Sequence, residues 1–269
     1  GIAQKPDIIA IDGGSTDSGP HYLGTGTSKY SRNSTKAEWR ELMAARAEAG
    51  VPLVIGTAGT CGADDAVDWL VEITREIAAE TGESLRLAVL KSGQDNQTMV
   101  AALRAGRITP LPAAPEISDT LLLECTNIVA LAGAEQIQEA LNTGADIIIA
   151  GRTTDTAIIS ALPLARGCHA GGCWHGAKIG ECGALATTSP NSGTIMIAFD
   201  AEGFTMTPMG AEARATPRTV SAHMLYENSD PHILYEPGGH LDVRGATYTA
   251  LNDREVRVTG SEWIVSDRY

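Results

Sequence analysis

The chain has 269 residues, of which 43% are hydrophobic and 20% charged, with a formal net charge of −13. The length suits one large α/β domain, or one domain with a small appendage. The acidic balance argues against a nucleic-acid or anionic-membrane surface, since phosphate binding needs a basic face. An anionic substrate would need a local cation, such as Arg152 or Lys178. The five cysteines, at positions 61, 125, 168, 173 and 182, cannot all pair within one chain. They read as free thiols of a reducing compartment, and a cytoplasmic location is expected. No basic-then-apolar leader opens the sequence, and no apolar run approaches the roughly 18 residues of a membrane span.

Residues 7–12 form a short apolar run closed by Asp12-Gly13-Gly14, the pattern of a buried strand. Residues 15–34 are rich in Gly, Ser and Thr and predict a long loop. Ser34 or Thr35 is expected to cap a helix to residue 49, with Glu38 placed as in a capping box. A second strand spans 51–57, and the loop 56–62 leads into a helix over 64–81. A third strand is expected over 85–91, and helices over 96–105, 117–131 and 134–143. Asp146 to Ala150 is the fourth strand. It empties into Gly151-Arg152-Thr153-Thr154-Asp155, followed by a helix, a Gly/Cys/His-rich turn and a second helix over 174–185.

Strand–loop–helix units recurring at this spacing predict an α/β fold, with a mostly parallel sheet flanked by helices. After about residue 190 the texture changes. Residues 193–208 alternate around Asp200-Ala201-Glu202-Gly203, and 247–258 turn at Asn252-Asp253, so both read as hairpins. A short helix is expected over 216–227, with Pro217 at its first position. The division expected is an α/β core over 1–190 and a smaller antiparallel α+β extension over 191–269.

In an open parallel sheet, ligands bind beyond the carboxyl ends of the strands. Residues 12–17, 56–64, 91–95 and 151–155 all land there. Asp12 is placed for acid–base work or, with Asp17 and His21, for a hard metal; it can equally bind loop amides. Gly13, Gly14, Gly59 and Thr60 lie where backbone amides could cradle an anion, although neither glycine stretch is a nucleotide fingerprint. Arg152 can clamp a carboxylate with two parallel bonds. Asp155 is a base or the cap of the following helix. His175, Lys178 and Cys182 share one helical face, with Glu181 able to pair with Lys178. Together they could supply a base, a cation and a thiol, or they could be a core histidine, an ion pair and an inert thiol. The spacing of Cys168, His169, Cys173 and His175 matches none of the usual zinc patterns, and no metal set is assigned. His223, His232 and His240 stand without a partner pattern.

The combination ADIIIAGRTTDTAI, KIGECGAL and HMLYENSDPHILYEPGGHLDV resembles the acyclic terpene utilisation AtuA family. IDGGSTDSGPHYLGTG and the VPLVIGTAGTCGAD loop are similar to the N-terminal part of a subgroup. The matched residues are Gly151, Arg152, Asp155, Glu181, Cys182, Gly183, Tyr226, Glu227, Asp230 and Pro231. The resemblance implies a part in bacterial catabolism of acyclic terpenes such as citronellol and geraniol. It also implies that the chain is a fragment, since members start earlier and run further.

The expected function is that of a catabolic enzyme acting on a small carboxylate or acyl substrate of acyclic terpenoid type. Lyase, hydratase or isomerase chemistry fits an acid–base cluster without a nucleotide motif. Arg152 would hold the carboxylate, His175 or Asp12 would move the proton, and Lys178 and Glu181 would stabilise developing charge. The alternatives are metal-assisted hydrolysis and a non-catalytic subunit of a catabolic complex. The sequence names no cofactor. Among partners it expects the small molecule, no nucleic acid and no membrane, and it leaves a homo-oligomer open.

Overall fold

Four apolar runs pair into a parallel sheet in the computed structural model, which describes residues 1–14, 19–191 and 193–266. They are β1 (Ile9–Gly14), β2 (Leu53–Thr60), β3 (Leu87–Leu90) and β4 (Ile147–Ala150), in the order β1-β2-β4-β3. The inner strands are apolar on both faces because both faces are covered. Leu53, Ile55, Ile147 and Ile149 point one way, into a cluster with Trp39, Met43, Val67, Leu70, Ile73 and Ile77. These last six come from α2 (Arg32–Ala49) and α3 (Asp64–Thr81). Val54, Ile148 and Ala150 point the other way. There they meet Ile137 of α6 (Ala134–Asn142), and Ile158 and Ala161 of α7 (Ala157–Ala165). Side chains alternate with period two along a strand, so one run of isoleucines serves both cores.

The remaining helices of the first part are α1 (His21–Thr25), α4 (Asn96–Arg104) and α5 (Asp119–Glu124). Four expectations need correction here. The expected loop over 15–34 contains α1, and α2 starts earlier than expected: Ser31 is its cap, with Oγ accepting from Ser34 N, so the Glu38 capping box does not form. The helix expected over 117–131 stops at Glu124, because the following segment pairs instead: Val129 bridges to Gly93 and Ala132 to Thr153. The loop expected at 56–62 is largely strand, since β2 continues to Thr60.

The chain is organised around α8 (Ala170–Gly180), nearly all of it buried. It starts four residues before the expected helix and ends five before it. His169 caps it, with Nδ1 accepting from Gly172 N at 3.0 Å. Gly171 and Gly172 look like turn residues in the sequence, but the packing explains them. A Cβ on Gly172 would lie 2.6 Å from Gly203 Cα, and one on Gly171 would lie 2.3 Å from Ser261 O. The glycines let helix and sheet backbones touch.

The sheet α8 packs on is antiparallel, β5-β6-β10-β9: β5 (Ile195–Phe199), β6 (Gly203–Pro208), β9 (Thr247–Ala250) and β10 (Val256–Thr259). Both expected hairpins are present. A third hairpin, β7 (Ile233–Glu236) with β8 (Gly239–Asp242), extends to β11 (Glu262–Val265) as a three-stranded sheet. α9 (Pro217–His223) has Thr216 as its cap and ends four residues short of the expected helix. One apolar cluster runs from Val54 and Ile148 through Trp174 and Ile179 to Phe204, Leu241 and Val258. No helix among the described residues is long and apolar enough to cross a membrane.

Candidate functional site

The turn that follows β4 runs into a cleft of about 230 Å³. Arg152, Thr154 and Asp155 line it from the turn, Lys178 and Glu181 from the end of α8. Glu227, Asn228 and Glu236 line it from the second part of the chain. The parallel sheet thus offers its strand end as the general rule requires, and the far wall comes from β7 and the segment after α9.

Charge in this cleft is unbalanced. Lys178 is 4% exposed and forms an ion pair with Glu181, three residues on and equally enclosed. Burial still pushes the Glu181 carboxyl up to about 7, against the pull of Lys178. Burial pushes Glu236 up to about 7 as well, although the Thr156 hydroxyl donates to its Oε1. Glu236 Oε2 is buried without a partner among the described residues. Asp12 is raised to about 7, first by burial and then by the charge of Asp155. Its Oδ1 accepts from Gly14 N at 2.8 Å. Asp155 is raised too, chiefly by burial, while Arg152 opposes the shift. Glu181, Glu236 and Asp155 line the cleft, and Asp12 lies outside its lining, coupled to Asp155 and Arg152 by charge. All four carboxyl groups are raised, and Glu181, Glu236 and Asp12, at about 7, can take up or release a proton near neutrality.

Arg152 stands out by what it does not touch. Among the described residues its guanidinium makes no hydrogen bond and no ion pair within 4.0 Å, yet it lines the cleft. The Asp155 carboxylate likewise makes no hydrogen bond or ion pair within 4.0 Å among the described residues, although the charges of Arg152, Glu227 and Lys178 act on it. The capping position of α7 is Thr156, without a side-chain cap bond, so the carboxylate is not spent on the helix.

His175 goes elsewhere. It is 0% exposed, with Nδ1 2.7 Å from Ser261 Oγ and Nε2 3.1 Å from Tyr248 Oη. Burial pushes its pKa down to about 3, so the ring is neutral. It does not line the cleft, because the face of α8 that carries it packs on the antiparallel sheet. Helical spacing groups His175 with Lys178, but the ring points into the core while the ammonium reaches the cleft.

The glycine positions also have structural partners. Gly13 and Gly14 belong to β1, whose pairing with β2 shifts register between Asp12 and Gly14. Gly59 has φ +66°, and a Cβ there would meet Ala66 Cβ at 2.7 Å, so it seats β2 on α3. Thr60, at φ 71°, is buried, with its Oγ1 accepting from Lys29 N at 3.2 Å. Neither Gly59 nor Thr60 lines the cleft. Asp64 accepts from Ser92 N and Gly93 N and ties α3 to the end of β3. Asp17 lies outside the described residues, and His21 is exposed.

Cys182 follows α8, and burial raises its thiol to about 12, with Glu181 adding to the shift. Glu181, Cys182 and His223 each bring one donor atom to within 4.8 Å of the other two. Sequence reasoning missed Glu236 and His223. Glu227 entered only through the family motif, and no local pattern marks the other two. They reach this place because β7 and α9 fold back over the core.

A family model described as acyclic terpene utilisation family protein AtuA matches residues 24–187. It covers α2 to the end of α8 and with them Arg152, Asp155, Lys178 and Glu181, and it leaves out Asp12, Glu227 and Glu236. No curated protein and no solved structure matches the chain.

Proposed function

Starting from the chain's membership of the acyclic terpene utilisation AtuA family, we propose that it is a catabolic enzyme acting on a small carboxylate or acyl substrate. The substrate would be of acyclic terpenoid type, and the reaction a lyase, hydratase or isomerase step run by acid–base groups. The observation that carries this reading is Arg152, whose guanidinium has no hydrogen-bond or ion-pair partner among the described residues, in a cleft lined by the raised carboxyl groups of Asp155, Glu181 and Glu236. A guanidinium with no partner in an acidic cleft is a ready receptor for a carboxylate. Loss or addition of a proton next to a carbonyl needs a group whose pKa lies near the working pH. Asp12, raised to about 7, has that character, and Asp155, whose carboxyl is raised chiefly by burial, lines the cleft with Arg152. Lys178, held by Glu181, would stabilise the oxyanion that develops on the substrate. Since His175 is neutral and enclosed, the proton role falls to the aspartates.

The test is binding and exchange with branched, unsaturated short-chain carboxylates and their amides. Thermal shift and ligand NMR should detect the acid and not the amide, and Arg152→Ala should weaken acid binding at least tenfold. Deuterium should enter the substrate from heavy water with the native protein, and much more slowly with Asp155→Asn or Asp12→Asn. Equal binding of acid and amide sinks the carboxylate reading. Binding without exchange or turnover favours the non-catalytic subunit.

A further inference from the structure

We infer that Glu181, Cys182 and His223 form a binding site for one divalent transition ion of the zinc class, beside the cleft. The three residues come from two separate elements, the end of α8 and the end of α9. One carboxylate oxygen, the Cys182 sulfur and one imidazole nitrogen lie within 4.8 Å of one another. Ligands at 2.0–2.3 Å from a tetrahedral ion stand about 3.5 Å apart. Binding would draw these three together by roughly 1 Å, within the reach of side-chain torsions.

The independent observation is at His223. The residue is 5% exposed, and its Nε2 is buried with no hydrogen-bond partner among the described residues. An imidazole nitrogen closed off from water and left unbonded is costly unless something else takes its lone pair. The Lys178 backbone lies beside the ring. Metal-bound histidines hold one ring nitrogen on a backbone carbonyl or carboxylate and turn the other to the ion. The ring is further held by stacking on Tyr226, with centroids 5.6 Å apart and planes at 21°.

The donor types choose the ion. A sulfur and an imidazole disfavour Mg²⁺ and Ca²⁺, which take oxygen ligands, and suit Zn²⁺, Co²⁺ and their neighbours. Three protein donors leave a fourth position open, the pattern of catalytic rather than structural zinc. Glu181 lines the cleft, so that position borders the place where Arg152 would hold a carboxylate. The site stands on its own donors and does not depend on the acid–base reading. It would add a Lewis acid to whatever reaction the cleft runs.

The experiment uses the full chain purified without chelators. Zinc content is measured first. The metal is then stripped and Co²⁺ titrated in, following the near-ultraviolet thiolate-to-cobalt band. One Co²⁺ per chain with that band is expected. Cys182→Ser should abolish the band and His223→Ala should weaken binding at least tenfold, while Cys125→Ser leaves both unchanged. Should His223→Ala fail to fold, Cys182→Ser decides alone. Cobalt binding that lacks the thiolate band, a band that survives Cys182→Ser, or no binding above equimolar Co²⁺ overturns the site. Carboxylate binding through Arg152 is measured on the stripped protein, so failure of either proposal is seen separately.

Discussion

His175 Nδ1 lies 2.7 Å from Ser261 Oγ, and the same ring reaches Tyr248 Oη at 3.1 Å. The imidazole bridges α8 to the edge of the antiparallel sheet. It meets Phe204 and Tyr248 edge-on, with centroids at 5.3 and 5.6 Å.

His175→Ala should therefore destabilise the fold without touching ligand binding. It opens a cavity and leaves two hydroxyl groups short of a partner, a loss of about 3 kcal/mol. Urea unfolding checks the loss, and ligand NMR on the folded fraction checks the binding. The pH sign follows from a pKa lowered from 6.5 to about 3. The folded state binds fewer protons across that range, so the stability His175 contributes is lost as pH falls from 6.5 towards 3. An alanine variant with unchanged stability but lost binding would return His175 to the active site.

Asp12 behaves the opposite way. Its pKa rises from 3.8 to about 7 on folding, so the folded state binds more protons between those values. The penalty for its charge is absent below about pH 4, grows to pH 7 and is constant above. Asp12→Asn should thus raise the melting temperature at pH 8 and leave it unchanged at pH 4. The amide oxygen can still accept from Gly14 N. An equal shift at both pH values would show that burial of the charge is not the cause.

Lys178 and Glu181 should be worth more to the fold as partners than either is alone. Lys178→Met leaves the Glu181 carboxylate enclosed without its cation, which costs about 3 kcal/mol near pH 8. The cost should shrink at pH 5, where Glu181 can be neutral. Adding Glu181→Leu to Lys178→Met should recover most of the loss. A double variant as unstable as the single one would show that shape, not charge, decides here.

Gly172→Ala should cost about 1–3 kcal/mol by pushing α8 off Gly203. Gly24→Ala, in a helix with open space around it, is the control and should change stability little. Thermal melts of both variants separate crowding from the general effect of replacing a glycine.

Much of the parallel core can be read along the chain. The strands over 7–12, 51–57, 85–91 and 146–150 announce themselves by apolar runs closed with glycine, because a strand covered on both faces has no polar side to show. Arg152 and Asp155 were visible for the same reason, as the first polar residues after such a run. α8 was misplaced because Gly171 and Gly172 look like a turn until Gly203 and Ser261 are brought against them. The division of His175 from Lys178 was also invisible, since helical spacing groups the two while packing sends one to the sheet and the other to the cleft. Glu236 and His223 had no local signal at all. They join Asp155 and Glu181 only when β7 and α9 fold over the strand ends, and that long-range closure is what makes an acidic, enclosed site from scattered residues.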